Sequence, residues 1–112
     1  MPRVKNYKRN QCKQGHWHHS IKEANYCNKL ELLKRAKEIK GYQTQVKFEF
    51  IVNNQKICSH IVDFVVENND GSKEVHEVKG WAQDIWRIKR NLFVALYPYM
   101  EYISTRNCGR FD

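Results

Sequence analysis

Apolar and polar positions alternate with two different periods along this chain, and the changes of period divide it. From Ile21 the apolar residues Ala24, Cys27, Leu30, Leu33, Ala36 and Ile39 recur at helical spacing, with Lys22, Lys29, Lys34, Arg35 and Lys37 between them. Ser20-Ile21-Lys22-Glu23 ahead of this stripe has the form of a capping box, which predicts a helix of about five turns ended by Gly41. The period then drops to two. Val46, Phe48, Phe50 and Val52 alternate with Gln45, Lys47 and Glu49, as in a strand with one wet face. Asn53-Asn54 turns the chain into Lys56–Val66, which is apolar on both faces and predicts a central, doubly covered strand. Ile57, Ile61 and Val65 share one face with Asp63, and Val62, Phe64 and Val66 take the other. Asn69, Asp70 and Gly71 signal a tight turn into a third strand, Glu74–Lys79.

Gly80 breaks that run, and Asp84 is placed to cap a second helix carrying the stripe Ile85, Ile88, Leu92, Ala95 and Leu96. Pro98 stops it, and Tyr99–Ser104 reads as a last short strand. Residues 1–15 carry basic and polar groups without periodicity and read as a basic N-terminal arm, with a C-terminal tail over 105–112. The order is helix, three strands, helix, strand, in a single domain over residues 1–112.

Charge adds a partner to this picture. Twenty basic against twelve acidic residues give a net charge of +8, which favours polyanions and nucleic acid first among them. No segment approaches the ~18 consecutive apolar residues of a membrane span. The basic N-terminus is followed by no apolar stretch, so the expected location is cytoplasmic. Cys12, Cys27, Cys58 and Cys108 are then expected to be reduced thiols, mostly filling core space.

The chemistry concentrates around Asp63. A carboxylate in the most apolar strand is costly unless a partner or a metal compensates it. Glu77 and Lys79, two apart on the next strand, project from one face, and a hairpin brings them towards Asp63. Two carboxylates can hold Mg²⁺ or Mn²⁺, with the Val78 carbonyl as an additional ligand, and a lysine can orient an attacking water. The same residues can instead form a cross-strand ion pair. Glu38-Ile39-Lys40, on the predicted helix, repeats the acid-x-lysine string where it carries no chemistry.

Taken together, Ser20–Ala24, Gln45-x-Lys47-Phe48, Asp63-Phe64, Glu77-Val78-Lys79-Gly80 and Ile88–Phe93 resemble, in order and spacing, the PD-(D/E)xK nuclease superfamily. More narrowly, they are similar to a family of small phage-encoded nucleases within it, some regarded as Holliday-junction resolvases. The resemblance spans roughly residues 15–104. Val62 stands where the superfamily name has proline, and Val46 where proline is expected after Gln45, which leaves Gln45 without a supported role.

The resemblance implies an α/β, restriction-endonuclease-like core with a mixed central sheet flanked by helices. It implies a Mg²⁺- or Mn²⁺-dependent endodeoxyribonuclease acting on branched or junction DNA, in the host cytoplasm if the chain is phage-encoded. Asp63, Glu77, Val78 and Glu23 would hold metal, Lys79 would be the catalytic lysine, and paired cuts would need a homodimer. Glu23 has a second reading as the last residue of the capping box.

DNA contacts are expected from Arg3, Lys5, Lys8 and Arg9 in the arm, from Arg87, Lys89 and Arg90 on the second helix, and from His18 and His19 beside the substrate channel, with His16. Trp81, and also Trp17 and Trp86, can stack on bases or serve as ordinary surface aromatics. His60 and His76 face away from Asp63 and Glu77 by alternation and read as structural. Three other functions stay open: a non-catalytic nucleic-acid-binding module, a nuclease nicking or end-processing ordinary duplex, and a zinc-stabilised interaction protein. The last would use Cys12, His16, His18, His19 and Cys27, whose spacing matches none of the usual structural-zinc patterns.

Overall fold

The computed structural model describes residues 11–18, 20–78 and 84–105. The elements run α1 (Ile21–Arg35), β1 (Gly41–Val52), β2 (Gln55–Glu67), β3 (Lys73–Val78), α2 (Asp84–Leu96) and β4 (Glu101–Thr105). The α-β-β-β-α-β order matches that read from the pattern. The four strands form one mixed sheet in the order β1-β2-β3-β4, antiparallel except for the β3–β4 pair. Placing β4 parallel to β3 requires a crossover, which α2 supplies.

α1 starts where the capping signal puts it, with the Ser20 hydroxyl accepting the Glu23 N–H at 3.1 Å. It ends earlier than Gly41. Lys37 takes φ 64°, Glu38 N–H reaches back to the Leu33 carbonyl and Lys37 N–H to that of Lys34, which together make a Schellman stop. A lysine therefore occupies the left-handed position usually given to glycine, and Gly41 opens β1 instead. The β1–β2 turn is the Asn53-Asn54 pair, both left-handed at φ 50° and 66°, a conformation asparagine tolerates well. The β2–β3 turn is closed by the Asp70 carboxylate, which accepts the Ser72 N–H at 2.9 Å and its hydroxyl at 2.7 Å.

Two apolar clusters lie against opposite faces of the sheet. Ala24, Tyr26, Cys27 and Leu30 of α1 pack on Phe64 and Val66, joined by Cys12 and Ile39. Phe93 of α2 packs on Phe50, Val62, Val65 and Val75. The β2 alternation expected from sequence is corrected here. Val62 and Val65 belong to one cluster while Phe64 and Val66 belong to the other, so the strand changes faces around Asp63. Ile57 and Ile61, expected to be covered, are exposed, as is Val52. The second helical stripe is corrected as well. Phe93 is the fully buried anchor of α2, with Trp86, Leu92 and Leu96 half-buried, whereas Ile85 and Ile88 are 63% and 56% exposed. Within the described part of the lead-in, a Gln11–Trp17 bridge, with Gly15 at φ 92°, makes a tight hairpin.

Phe93→Ala should cost about 3–5 kcal/mol, because it empties the centre of the α2-side core. Ile88→Ala, on the exposed side of the same helix, should cost under about 1 kcal/mol. Urea unfolding of the two variants checks the assignment of the buried face.

Candidate functional site

Antiparallel pairing of β2 with β3 runs from Glu67–Lys73 to Phe64–His76. Beyond it, carboxylates take over from carbonyls. Asp63 Oδ2 accepts the Val78 N–H at 2.8 Å, and Glu77 Oε2 accepts the Asp63 N–H at 3.1 Å. The two acids thus exchange side-chain-to-backbone bonds across the strands, at positions where backbone bonds would otherwise continue the ladder. The same point disturbs β1. Register passes from Thr44–Phe64 to Val46–Val62, and Gln45, which stands across from Asp63, has φ 53°. Both acids are buried, Asp63 at 9% and Glu77 at 1% exposure. Hydrogen bonds to ionised acceptors of this kind contribute roughly 1.5–3 kcal/mol each, which offsets part of the desolvation cost.

α2 and β4 close the site on one side. Trp86 Nε1 donates to Glu77 Oε1 at 3.2 Å, and His60 Nε2 lies 4.0 Å from Glu77 Oε2. His60 Nε2 also lies 3.0 Å from the Tyr102 hydroxyl. Burial, and after it the charge of Glu77, pushes that hydroxyl well above the ordinary tyrosine range, so Tyr102 stays protonated beside the acids. His60 was expected to face away and is corrected to a neighbour of Glu77. The change of faces at Asp63 moves it there. Neither it nor Tyr102 carries a sequence signal for this role.

His76 does face away, towards α1. The Tyr26 hydroxyl is 2.6 Å from its Nδ1, and Glu74 accepts from its Nε2 at 2.9 Å. Tyr26 is held protonated by burial, so its hydroxyl donates and His76 carries its proton on Nε2.

Glu23 does more than cap. Its buried carboxylate receives His18 Nδ1 at 3.1 Å and a short bond from the Gln45 amide, so Gln45 acquires the role its sequence context left unsupported. Gln45 thereby links the acid of α1 to the strand position facing Asp63. His18 is 5% exposed, and this corrects its expected place beside a substrate channel: a ring packed against Phe64 presents no face to phosphate. Cys12, His16, His18 and Cys27 converge, with one ligand atom from each within 4.8 Å of the others. Cys12, Cys27 and Cys58 are free thiols, and burial pushes the Cys27 thiol up to about 12.

On α2, Arg87 and Arg90 are exposed and Lys89 is half-buried. The Arg90 guanidinium lies 6.0 Å from the Trp86 ring, which connects this basic face to Glu77 through one side chain. Among the described residues, Arg87 makes a 3.5 Å contact to Asp84 on the helix surface. Lys79, Gly80, Trp81 and His19 lie outside the described residues, as do the arm residues Arg3, Lys5, Lys8 and Arg9, and Cys108 in the tail.

The family follows from comparison. The chain belongs to DUF1064, a family described as "protein of unknown function", and matches it over residues 5–111. No curated protein and no solved structure matches the chain. Among the described residues no helix is long and apolar enough to cross a membrane.

Burial holds His76 below its ordinary value of 6.5 despite the opposing pull of Glu74. The unfolded chain takes up that proton near 6.5 while the folded chain resists it. Stability from this group is therefore complete above 6.5 and lost as pH falls below it. The urea midpoint should drop between about pH 7.5 and about pH 5.5, and His76→Gln should flatten the slope. Equal slopes in the two proteins would remove His76 as the cause.

Proposed function

We propose that this chain is a metal-dependent DNA endonuclease of the PD-(D/E)xK type that acts on branched DNA, including four-way junctions. The observation carrying the reading is the Asp63–Glu77 pair. Two buried carboxylates flank the opening of one strand pair, and each is oriented by a backbone N–H of the neighbouring strand. Around the pair, an indole N–H donates to Glu77 and an imidazole lies 4.0 Å from it.

The donor set suits a hard divalent cation such as Mg²⁺ or Mn²⁺. Asp63 and Glu77 offer carboxylate oxygens. An extended residue sends its N–H and C=O to the same side, so the Val78 carbonyl is directed to the side on which its N–H meets Asp63. Glu23 is the third acid of the set, joined to the position facing Asp63 through Gln45. When bound, the cation supplies polarisation of the scissile phosphate and a water of lowered pKa. Lys79, next in sequence to Val78, orients the attacking water or offsets charge developing on the phosphate. Trp86 holds Glu77 in place through its indole N–H. Arg87, Lys89 and Arg90 bind the DNA backbone beside the site, and the arm residues extend that contact. Paired cuts across a junction call for a homodimer.

Cleavage of labelled four-way junction, linear duplex and single strand, with Mg²⁺, Mn²⁺ or EDTA, tests this. Cutting should require the metal, favour the junction, and fall at least about 100-fold in Asp63→Asn, Glu77→Gln and Lys79→Ala. Preference for linear duplex would reassign the substrate to nicking or end-processing. Binding without cutting in any metal would leave a nucleic-acid-binding module in place of an enzyme. Arg90→Ala should weaken DNA binding and reduce its salt dependence, by a slope of roughly one. Binding measured against salt concentration checks this.

A further inference from the structure

We propose that Cys12, His16, His18 and Cys27 bind one structural zinc ion, which clips the lead-in hairpin to α1. The spacing Cys-x3-His-x-His-x8-Cys resembles no common zinc pattern, and the fold explains how it still converges. Cys12 N–H bonds the His16 carbonyl and Gly15 N–H bonds the Cys12 carbonyl, each at 3.0 Å, so a tight turn returns His16 to Cys12. His18 lies two residues further along the same extended segment. Its ring approaches that of His16 edge to face, with centroids 6.2 Å apart. Cys27 arrives from the second turn of α1, and His16 Nδ1 stands 3.4 Å from its Sγ. The hairpin is docked on that helix by Lys13 N–H, which donates to the Asn28 side chain at 2.8 Å.

The chemistry of the set selects the ion. Two thiols and two imidazoles are the donors of a closed tetrahedral zinc site. Zinc bonds of about 2.0–2.3 Å set ligand atoms some 3.3–3.8 Å apart, and the four here lie within 4.8 Å of one another. Binding converts two thiols to thiolates and releases two protons to solvent, and the resulting centre is neutral. All four coordination positions are filled by protein, so the ion has no open position for a substrate and acts by tethering. His18 carries the arrangement that zinc-bound histidines usually show. Its Nδ1 donates to the Glu23 carboxylate at 3.1 Å, which fixes the tautomer and leaves the lone pair on Nε2 for the metal. Cys12, His18 and Cys27 are buried, while His16 stands at the surface, where an ion can enter.

Metal analysis and Co²⁺ substitution test this on the full chain, without reference to cleavage. Protein purified from zinc-supplemented medium should carry one zinc per chain. The Co²⁺ form should show the intense visible bands of a tetrahedral ion with thiolate charge transfer. Stripping zinc with chelator should lower the melting temperature by more than about 10 °C, with recovery on adding Zn²⁺ and none on adding Mg²⁺. Cys12→Ser and Cys27→Ser should lose the ion, whereas Cys58→Ser, in the other core, should keep it. If the first two variants do not fold, the wild-type Co²⁺ spectrum decides alone. Absence of thiolate bands, or less than a tenth of an equivalent of zinc after reconstitution, overturns the proposal.

Discussion

The β2–β3 ladder opens at Asp63, and much of the molecule is arranged around that opening. A strand pair that stops exchanging backbone bonds while still buried must find other partners for its N–H groups. Here the Asp63 and Glu77 carboxylates supply them. The consequences spread outward. β2 changes faces at this point, so Val62 joins the α2 core while Phe64 joins the α1 core. β1 follows with Gln45 in left-handed backbone, and its amide engages Glu23. Trp86 ties α2 to Glu77, while Tyr102 meets the same corner from β4 through His60. One local departure from regular pairing therefore involves side chains from β1, β2, β3, β4, α1 and α2.

Such a corner is expensive to maintain in so small a protein. The described residues are spread over two thin cores, one on each face of the sheet. Each helix has essentially one face to bury, and α2 leaves Ile85 and Ile88 exposed. Small domains of this kind commonly depend on additional staples. The Cys/His cluster sits where such a staple has most effect, between the lead-in hairpin and α1. Glu23 lies between the Asp63–Glu77 corner and the Cys/His cluster, holding His18 on one side and Gln45 on the other.

The elements were legible because their periods are clean and their turn residues specific. Ser20, Asn53-Asn54 and Asp70-Gly71 act locally, through caps and left-handed backbone that depend on few distant contacts. Asp63 and Glu77 were legible as a pair because an acid in an apolar strand is anomalous on its own. Their manner of pairing was not, since a change of faces has no signature in alternation. The same change put His60 beside Glu77 against the expectation from spacing. The buried stripe of α2 was misplaced because Ile85 and Ile88 look more apolar than Trp86, while tertiary packing chose Phe93. The end of α1 was misplaced because Lys37 adopts the conformation usually reserved for glycine. Cys12, His16, His18 and Cys27 were legible as candidate ligands, but their spacing spoke against a site, since only the Gly15 turn brings them close.

The central claim is that the Asp63–Glu77 corner is a cation site, and it is tested most directly by Mn²⁺ binding. Mn²⁺ prefers oxygen donors over a thiolate–imidazole cluster, so it discriminates between the two candidate centres. Electron paramagnetic resonance of a Mn²⁺ titration should show saturable binding in the wild type. That binding should be lost in Asp63→Asn and in Glu77→Gln, with both variants retaining the circular dichroism of the parent. Unchanged Mn²⁺ binding in both folded variants, or none in the wild type, would contradict it.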